Sequence, residues 1–410
     1  MKKNLIKNPI YYNTLIWIGA GLSVAEILTG TYFAPLGMAK GILAIVLGHI
    51  VGGILMFFAG FVGAKSNKNS MESASISFGK KGAKFFAFLN CIQLLGWTGI
   101  MIYDASISLE MLFSASRSFW VIIIALLVVL WLLFNKQNLG IVNTIALFAL
   151  FVLSLYLFIS VFSSQGLKAI KTNSNGNVSE SMSFIAAFEL SIAMPLSWLP
   201  LISDYTCESK EKGFFVTLFS VIAYSIMSIW MYIVGMAMSI YTQKSDIAEI
   251  ISNFKGFISI AGLYVIAFST VTTTYLDAFS LGISQESLYD NSKEAKKNSK
   301  LVSICAVVIA AIFAMFFNLD NITNFLYLIS SVFTPMATVL IIDYFILKKS
   351  DEQSGFNYKN IISWFIGFIT YNIITKFELN VFIGSTVSAI LITAVFVIVF
   401  HFSDNKQNQN

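Results

Sequence analysis

Twelve long apolar runs dictate what this chain can become. They lie at about 14–36, 41–64, 83–113, 118–135, 139–163, 183–204, 214–241, 257–285, 301–318, 323–347, 360–376 and 380–402. A helix crosses the hydrocarbon core of a bilayer with about 20 mostly apolar residues. In lipid, every backbone N–H and C=O must find its partner within the protein. Each run is therefore expected to be a membrane-spanning helix, giving an all-α integral membrane protein of about twelve spans. Charged residues make up only 11% of the 410, against about 25% in soluble domains. So little charge cannot cover a water-facing surface. The first run is too long, and too closely followed by a second, to read as a cleaved signal peptide.

The lysines orient the spans. With the N-terminus in the cytoplasm, 19 of the 26 basic residues fall on the cytoplasmic side, Lys2, Lys3, Lys80, Lys81, Lys296 and Lys297 among them. The seven outside are Lys40, Arg117, Lys168, Lys171, Lys244, Lys255 and Lys376. This positive-inside bias implies an even span count, both termini cytoplasmic and residence in the cell membrane. It also accounts for the net charge of +5 without a nucleic-acid partner. Cys91, Cys207 and Cys305 have no metal or disulfide spacing. His49 and His401 read as packing or interfacial residues. No nucleophile–base constellation suggests an enzyme. "QGLKAIKTNSNGNVSESMS" from Gln165 and Asp290–Lys300 read as solvated connectors, and the stretch between spans two and three as an interfacial segment with its lysines at the headgroups.

Two spans carry helix breakers. Span one reads "VAEILTGTYFAPLG", with Glu26 followed by Gly30 and Pro35; span six reads "FELSIAMPLSWLPLISDY", with Glu189 followed by Pro195 and Pro200. Interrupted helices in matching positions of two halves point to a transporter binding site. A separation of five spans makes the halves inverted repeats. The expected division is 1–182 for the first repeat with its outer loop, 183–347 for the second, and 348–410 for two added helices and a tail.

Intramembrane carboxylates cost about 2.5–3.5 kcal/mol on insertion scales, so they default to internal polar cavities. Glu26, Asp104, Glu189 and Asp277 are the candidates, with interhelical hydrogen bonding as the other reading. On span three, Gln93, Trp97, Met101 and Asp104 share one helical face. Trp97 offers a flat ring for stacking and one N–H donor; plain packing is the alternative. On span eight, Ser269, Thr273, Asp277, Ser280 and Ser284 form a polar stripe beside Thr272. Its oxygens suit a small alkali cation, completed by backbone carbonyls near Leu22 and Ala25 at the first break. The alternative is that each hydroxyl bonds back to its own helix.

The stretches "WIGAGLSVAEILTGTYFAPLG", "GILAIVLGHIVG", "QLLGWTGIMI", "MPLSWLPLISDYT" and "PMATVLIIDYF", in this order, resemble the nucleobase:cation symporter-1 family, and within it the CytX-type hydroxymethylpyrimidine transporters. The resemblance implies a LeuT-like five-plus-five inverted repeat with discontinuous helices one and six, and alternating-access uptake of a flat heterocycle driven by a cation gradient. It implies that Trp97 stacks the substrate ring, that Glu26 contacts substrate, and that Thr272 and Thr273 hold sodium; Asp277 falls near a position that is often amide-bearing. Two departures stand out. Cys207 occupies a place where relatives carry arginine, with Lys210 as the substitute, and Met101 replaces a polar residue. A carboxylate at Glu26 suits the amino group of an aminopyrimidine, hydroxymethylpyrimidine or cytosine. The expected substrate set is Glu26, Gln93, Trp97, Met101, Pro195, Ser197, Trp198 and Asp277. The expected sodium set is Leu22, Ala25, Ser269, Thr272 and Thr273, with a proton as the alternative coupling ion.

Overall fold

The computed structural model describes residues 9–134, 136–163, 182–209, 212–254, 256–289, 292–317, 322–349, 354–377, 379 and 383–407. Its helices run α1 Pro9–Gly21, α2 Val24–Thr31, α3 Gly37–Ser66, α4 Ser70–Leu112, α5 Arg117–Leu133, α6 Lys136–Val161 and α7 Phe184–Thr206. They continue with α8 Gly213–Thr242, α9 Ile247–Ser252, α10 Phe257–Glu286, α11 Ser292–Phe316, α12 Ile322–Ile341, α13 Tyr358–Lys376 and α14 Gly384–Gln407. Over the described residues every apolar run of the sequence is helical, the first as two helices and a short turn. Among the described residues nine helices are individually long and apolar enough to span a membrane, and α1 with α2, bent by 44°, makes a tenth. The helices α5 and α13, of 17 and 19 residues, fall below that mark. Length and apolarity alone therefore support nine or ten of the twelve expected spans.

The helices form two packed groups. In one, α3 lies along α7, and α1 and α2 lie along α8. In the other, α4 packs on α10 and α11, with α5 closing a second core around Tyr103, Val128, Val271 and Val307. The pair α13 and α14 packs on α12 at the flank. Glycines allow the first group its close approach. A Cβ on Gly235 would run into the Ile27 carbonyl, and one on Gly21 would stand 2.6 Å from the Tyr224 carbonyl oxygen. Small residues at crossings are how membrane helices gain contact where lipid supplies no hydrophobic drive.

The first span breaks, but not where its glycine and proline predict. Gly30 lies inside α2, pressed on Tyr232, and Pro35 sits in the 3-10 turn Ala34–Leu36 beyond it. The break falls at Leu22 and Ser23. Ser23 is extended (φ −132°, ψ 159°), and its Oγ accepts from the Glu26 N–H at 3.4 Å. This starts a new helix with Glu26 in its first turn. Ser23 and Glu26 have the S-x-x-E spacing of a capping signature, which was the available cue.

The expected discontinuity of helix six is not found. The helix α7 continues from Phe184 to Thr206 with Pro195 and Pro200 inside it. Gln93 Nε2 from α4 donates to the Ser197 carbonyl at 2.7 Å, serving a backbone acceptor between the two prolines.

Two connector readings also change. Ser70–Phe78 is the first part of α4, which turns at Gly79 (φ 74°). It is mostly buried rather than laid on lipid: Ser70 N donates to Asp204 Oδ1 at 2.9 Å, and Ser203 N donates to Ser70 Oγ at 3.0 Å. Lys80 and Lys81, just past the turn, are exposed. Ser292–Lys300, read as part of a loop, belongs to α11, and most of the connector from Gln165 lies outside the described residues.

Candidate functional site

The break places Glu26 between the two helix groups, at a small cavity of about 20 Å3. That is about the room of one water, so a heterocycle enters only as the walls part. From the first group come Ser23, Ala25, Glu26, Met194, Ser197, Trp198 and Leu201; from the second, Gln93, Leu94, Trp97, Met101, Thr273 and Asp277. Seven of the eight expected substrate residues thus meet at one place. The eighth, Pro195, lies outside that lining, on the side of α7 that faces Gly52 of α3.

Aromatic rings close the cavity at two points. Trp198 meets Trp17 edge-on at 5.9 Å, and Trp17 continues to Tyr205 and Tyr224 at 5.7 and 6.1 Å. Trp97 meets Phe325 of α12 edge-on at 5.4 Å. Edge-on pairs are worth about 0.5–1.5 kcal/mol each beyond burial, so these closures are firm yet separable.

The polar groups differ in what is left of them. Glu26 is fully buried, and both its oxygens are engaged: Tyr224 Oη donates to Oε1 at 2.9 Å and Ser228 Oγ to Oε2 at 2.7 Å. Gln93 gives its amide N–H to Ser197, while its Oε1 has no partner among the described residues. Asp277 lines the cavity with no hydrogen-bond partner among the described residues. Two open acceptors therefore face the same space.

The span-eight stripe points into the protein, as its spacing implies. Ser269, Thr273, Asp277, Ser280 and Ser284 are all buried, and Ser284 Oγ accepts from Asn90 Nδ2 of α4 at 2.8 Å. Thr272 Oγ1 and Thr273 Oγ1 both donate back to the Ser269 carbonyl, at 2.7 and 3.2 Å. Those bonds use the hydroxyl protons and leave the oxygen lone pairs for a cation. Ala25 and Thr273 reach the cavity; Leu22, Ser269 and Thr272 are buried outside its lining.

The remaining intramembrane carboxylates sit elsewhere. Glu189 receives the Thr386 N–H at 2.9 Å, and its hydroxyl, at the start of α14. Asp104 is buried near Tyr103, whose hydroxyl accepts from Arg117 at 2.9 Å. Lys210, the expected substitute for the missing arginine, lies outside the described residues, and Asp204 instead holds the first turn of α4. His49, read as a packing residue, is buried on α3 with Nε2 2.6 Å from Ser228 Oγ. Sequence alone gave no signal for that contact, because its two halves stand 179 residues apart.

Comparison with known proteins bears on the fold and the family. A cytosine permease of Escherichia coli strain K12 is 22% identical over 353 residues, covering 86% of this chain and 81% of the relative. The cytosine permease of Escherichia coli O157:H7 is equally similar. Among solved structures, Mhp1, a nucleobase-cation-symport-1 family transporter in a closed conformation with bromovinylhydantoin bound, superposes with TM-score 0.76 at 15% identity, over 97% of this chain and 93% of that one. Its inward-facing conformation gives 0.75 at 15% identity, over 97% and 91%. A Na+-coupled sialic acid symporter gives 0.60 at 13% identity, over 96% and 97%. The architecture is thus the LeuT-like one expected. The family described as permeases for cytosine/purines, uracil, thiamine and allantoin matches residues 8–398, and the chain belongs to it: it is a multi-pass membrane transporter of the nucleobase:cation symporter kind.

Proposed function

We propose that the protein imports a planar aminopyrimidine, hydroxymethylpyrimidine first, by alternating access driven by a cation gradient. The observation that carries this reading is that one cavity brings Trp97 together with two open acceptors, Gln93 Oε1 and Asp277, beside Glu26. Trp97 stacks the ring. Asp277 and Gln93 take the two N–H groups of the exocyclic amine, and Glu26 adds the lone pairs left over from its two hydrogen bonds. Leu22, Ala25, Ser269, Thr272 and Thr273 hold sodium when α10 and the α1–α2 break draw together. Sodium then favours the outward-open population, since a ligand shifts an equilibrium only by its differential affinity. The helices of 1–182 and 183–347 act as the two repeats, with 348–410 added, both termini cytoplasmic and the cell membrane as the site of action.

Cytosine is the second reading, favoured by the cytosine permeases of Escherichia coli among the relatives. It shares the amine and the flat ring. Purified protein in liposomes, offered labelled hydroxymethylpyrimidine and cytosine with an inward sodium gradient, decides between them. Accumulation of one above its outside concentration, collapsing without sodium, supports sodium symport of that substrate. Flux that only runs downhill overturns symport in favour of a channel.

A further inference from the structure

Four helices meet around Glu189 near the start of α7, outside the lining of the transport cavity. Thr386 of α14 donates to both carboxylate oxygens: its N–H reaches Oε1 at 3.1 Å and Oε2 at 2.9 Å, and its hydroxyl reaches Oε2. Gly384, which opens α14, permits this approach, since a Cβ there would stand 2.1 Å from Oε1. Two further hydroxyls turn to the same place. Tyr371 of α13 lies beside Ser330 of α12, Thr386 and Glu189. Its Oη and Ser330 Oγ make no hydrogen bond among the described residues, although Tyr371 is 1% and Ser330 0% exposed. Tyr327, the other ionisable neighbour, donates its hydroxyl proton to the Ala186 carbonyl at 3.1 Å.

These contacts do not balance the charge. An ionised carboxylate in an apolar interior needs a partner of opposite charge or a metal ion. Among the described residues no lysine, arginine or histidine is hydrogen-bonded to Glu189 or shifts its charge. Apart from the Thr386 N–H, the polar atoms around it are hydroxyl oxygens. Buried polar atoms without partners are rare, and two of them flanking one carboxylate point to an occupant. Hydroxyl and carboxylate oxygens are hard ligands, which suit hard cations rather than zinc or copper. Calcium draws several carboxylates and about six to eight oxygens. One carboxylate with three hydroxyls matches a single positive charge.

We propose that Glu189, Thr386, Tyr371 and Ser330 hold a resident alkali cation, sodium or potassium, that joins α7 and α12 to the α13–α14 pair. The ion takes the carboxylate lone pairs that Thr386 leaves, together with lone pairs of the three hydroxyls. The site shares no residue with the sodium set at the α1–α2 break, and α10, which carries the hydroxyls of that set, does not enter it. The ion stays bound wherever α14 stays on α7, and it is not the ion that drives uptake. A ligand that binds only the folded state adds to its stability. None of this depends on the cavity being the pyrimidine site.

The test counts ions bound at equilibrium by the purified full-length protein, with labelled sodium in one arm and labelled rubidium, standing for potassium, in the other. Glu189→Gln, Tyr371→Phe and Ser330→Ala each remove one ligand with little change of shape, and Thr273→Val does the same at the break. In at least one arm the parent is expected to hold one ion more than Glu189→Gln and Tyr371→Phe, while Thr273→Val keeps that ion. Ser330→Ala is expected to weaken it, and reads the site if the other two variants fail to fold. Equal binding by the parent and every folded variant of the three, in both arms, overturns the site and leaves Glu189 a neutral acid or a hydrated carboxylate. A lone ion that is lost in Thr273→Val and kept in Glu189→Gln also overturns it, and assigns that ion to the break. A lone ion lost in Glu189→Gln and kept in Thr273→Val supports the site and defeats sodium binding at the break.

Discussion

The helices α2 and α7 each carry one glutamate into an apolar interior, and the two side chains are held in opposite ways. Glu26 faces a cavity between two helix groups and is held by hydroxyls of α8. Glu189 faces a helix end, where the Thr386 N–H and hydroxyl bind it at the start of α14. A helix N-terminus offers unpaired N–H groups and partial positive charge, so Glu189 finds its complement in the backbone. Glu26 finds only side chains that donate or accept. The difference separates a carboxylate that ties two helices together from one set in the wall of a cavity.

The sharpest way to break this comparison is to disturb the surface against which Glu26 is set. Gly235→Ala drives a methyl into the Ile27 carbonyl. It is expected to cost about 3 kcal/mol, the upper end for overpacking, read as a lowered melting temperature in detergent. Glu189→Ala leaves the Thr386 N–H buried and unpaired, for about 2 kcal/mol. Its stability falls while uptake per folded molecule holds; a loss of specific uptake would put Glu189 in the transport path. Glu26→Gln should show the reverse, stability within about 1 kcal/mol and uptake down at least about tenfold, equivalent to 1.4 kcal/mol. The smallest effect is expected from Trp97→Ala: about 1 kcal/mol of substrate affinity, or roughly fivefold in a binding titration. Unchanged affinity there would leave Trp97 as a packing residue against Phe325.

Much of the frame was legible in the sequence. The apolar runs became helices because lipid leaves the backbone few other choices. The face of Gln93, Trp97 and Met101 points inward, because a helix that gathers its polar groups on one side buries that side. The breaks were harder. Gly30 and Pro35 looked disruptive, yet a glycine in a membrane helix is as often a place for close approach, and Gly30 serves Tyr232 in that way. Pro195 and Pro200 looked like breaks too, yet α7 runs through both as one helix. The capping pair Ser23 and Glu26 was local and readable. The chain through Ser228 and His49 was not, since periodicity says which face a residue occupies but not what stands opposite.

The sequence distance behind both glutamates has a consequence for how the protein is made. Glu26 meets Ser228 across 202 residues, and Glu189 meets Thr386 across 197. A ribosome adding 5–20 residues per second takes about 10–40 s to cover such a gap. For that interval each carboxylate has been made and its partner has not. Synthesis thus contains two overlapping waits, the second ending only as α14 emerges. Chains cut before Thr386 leave Glu189 without its helix end and should be the ones that membrane quality control removes.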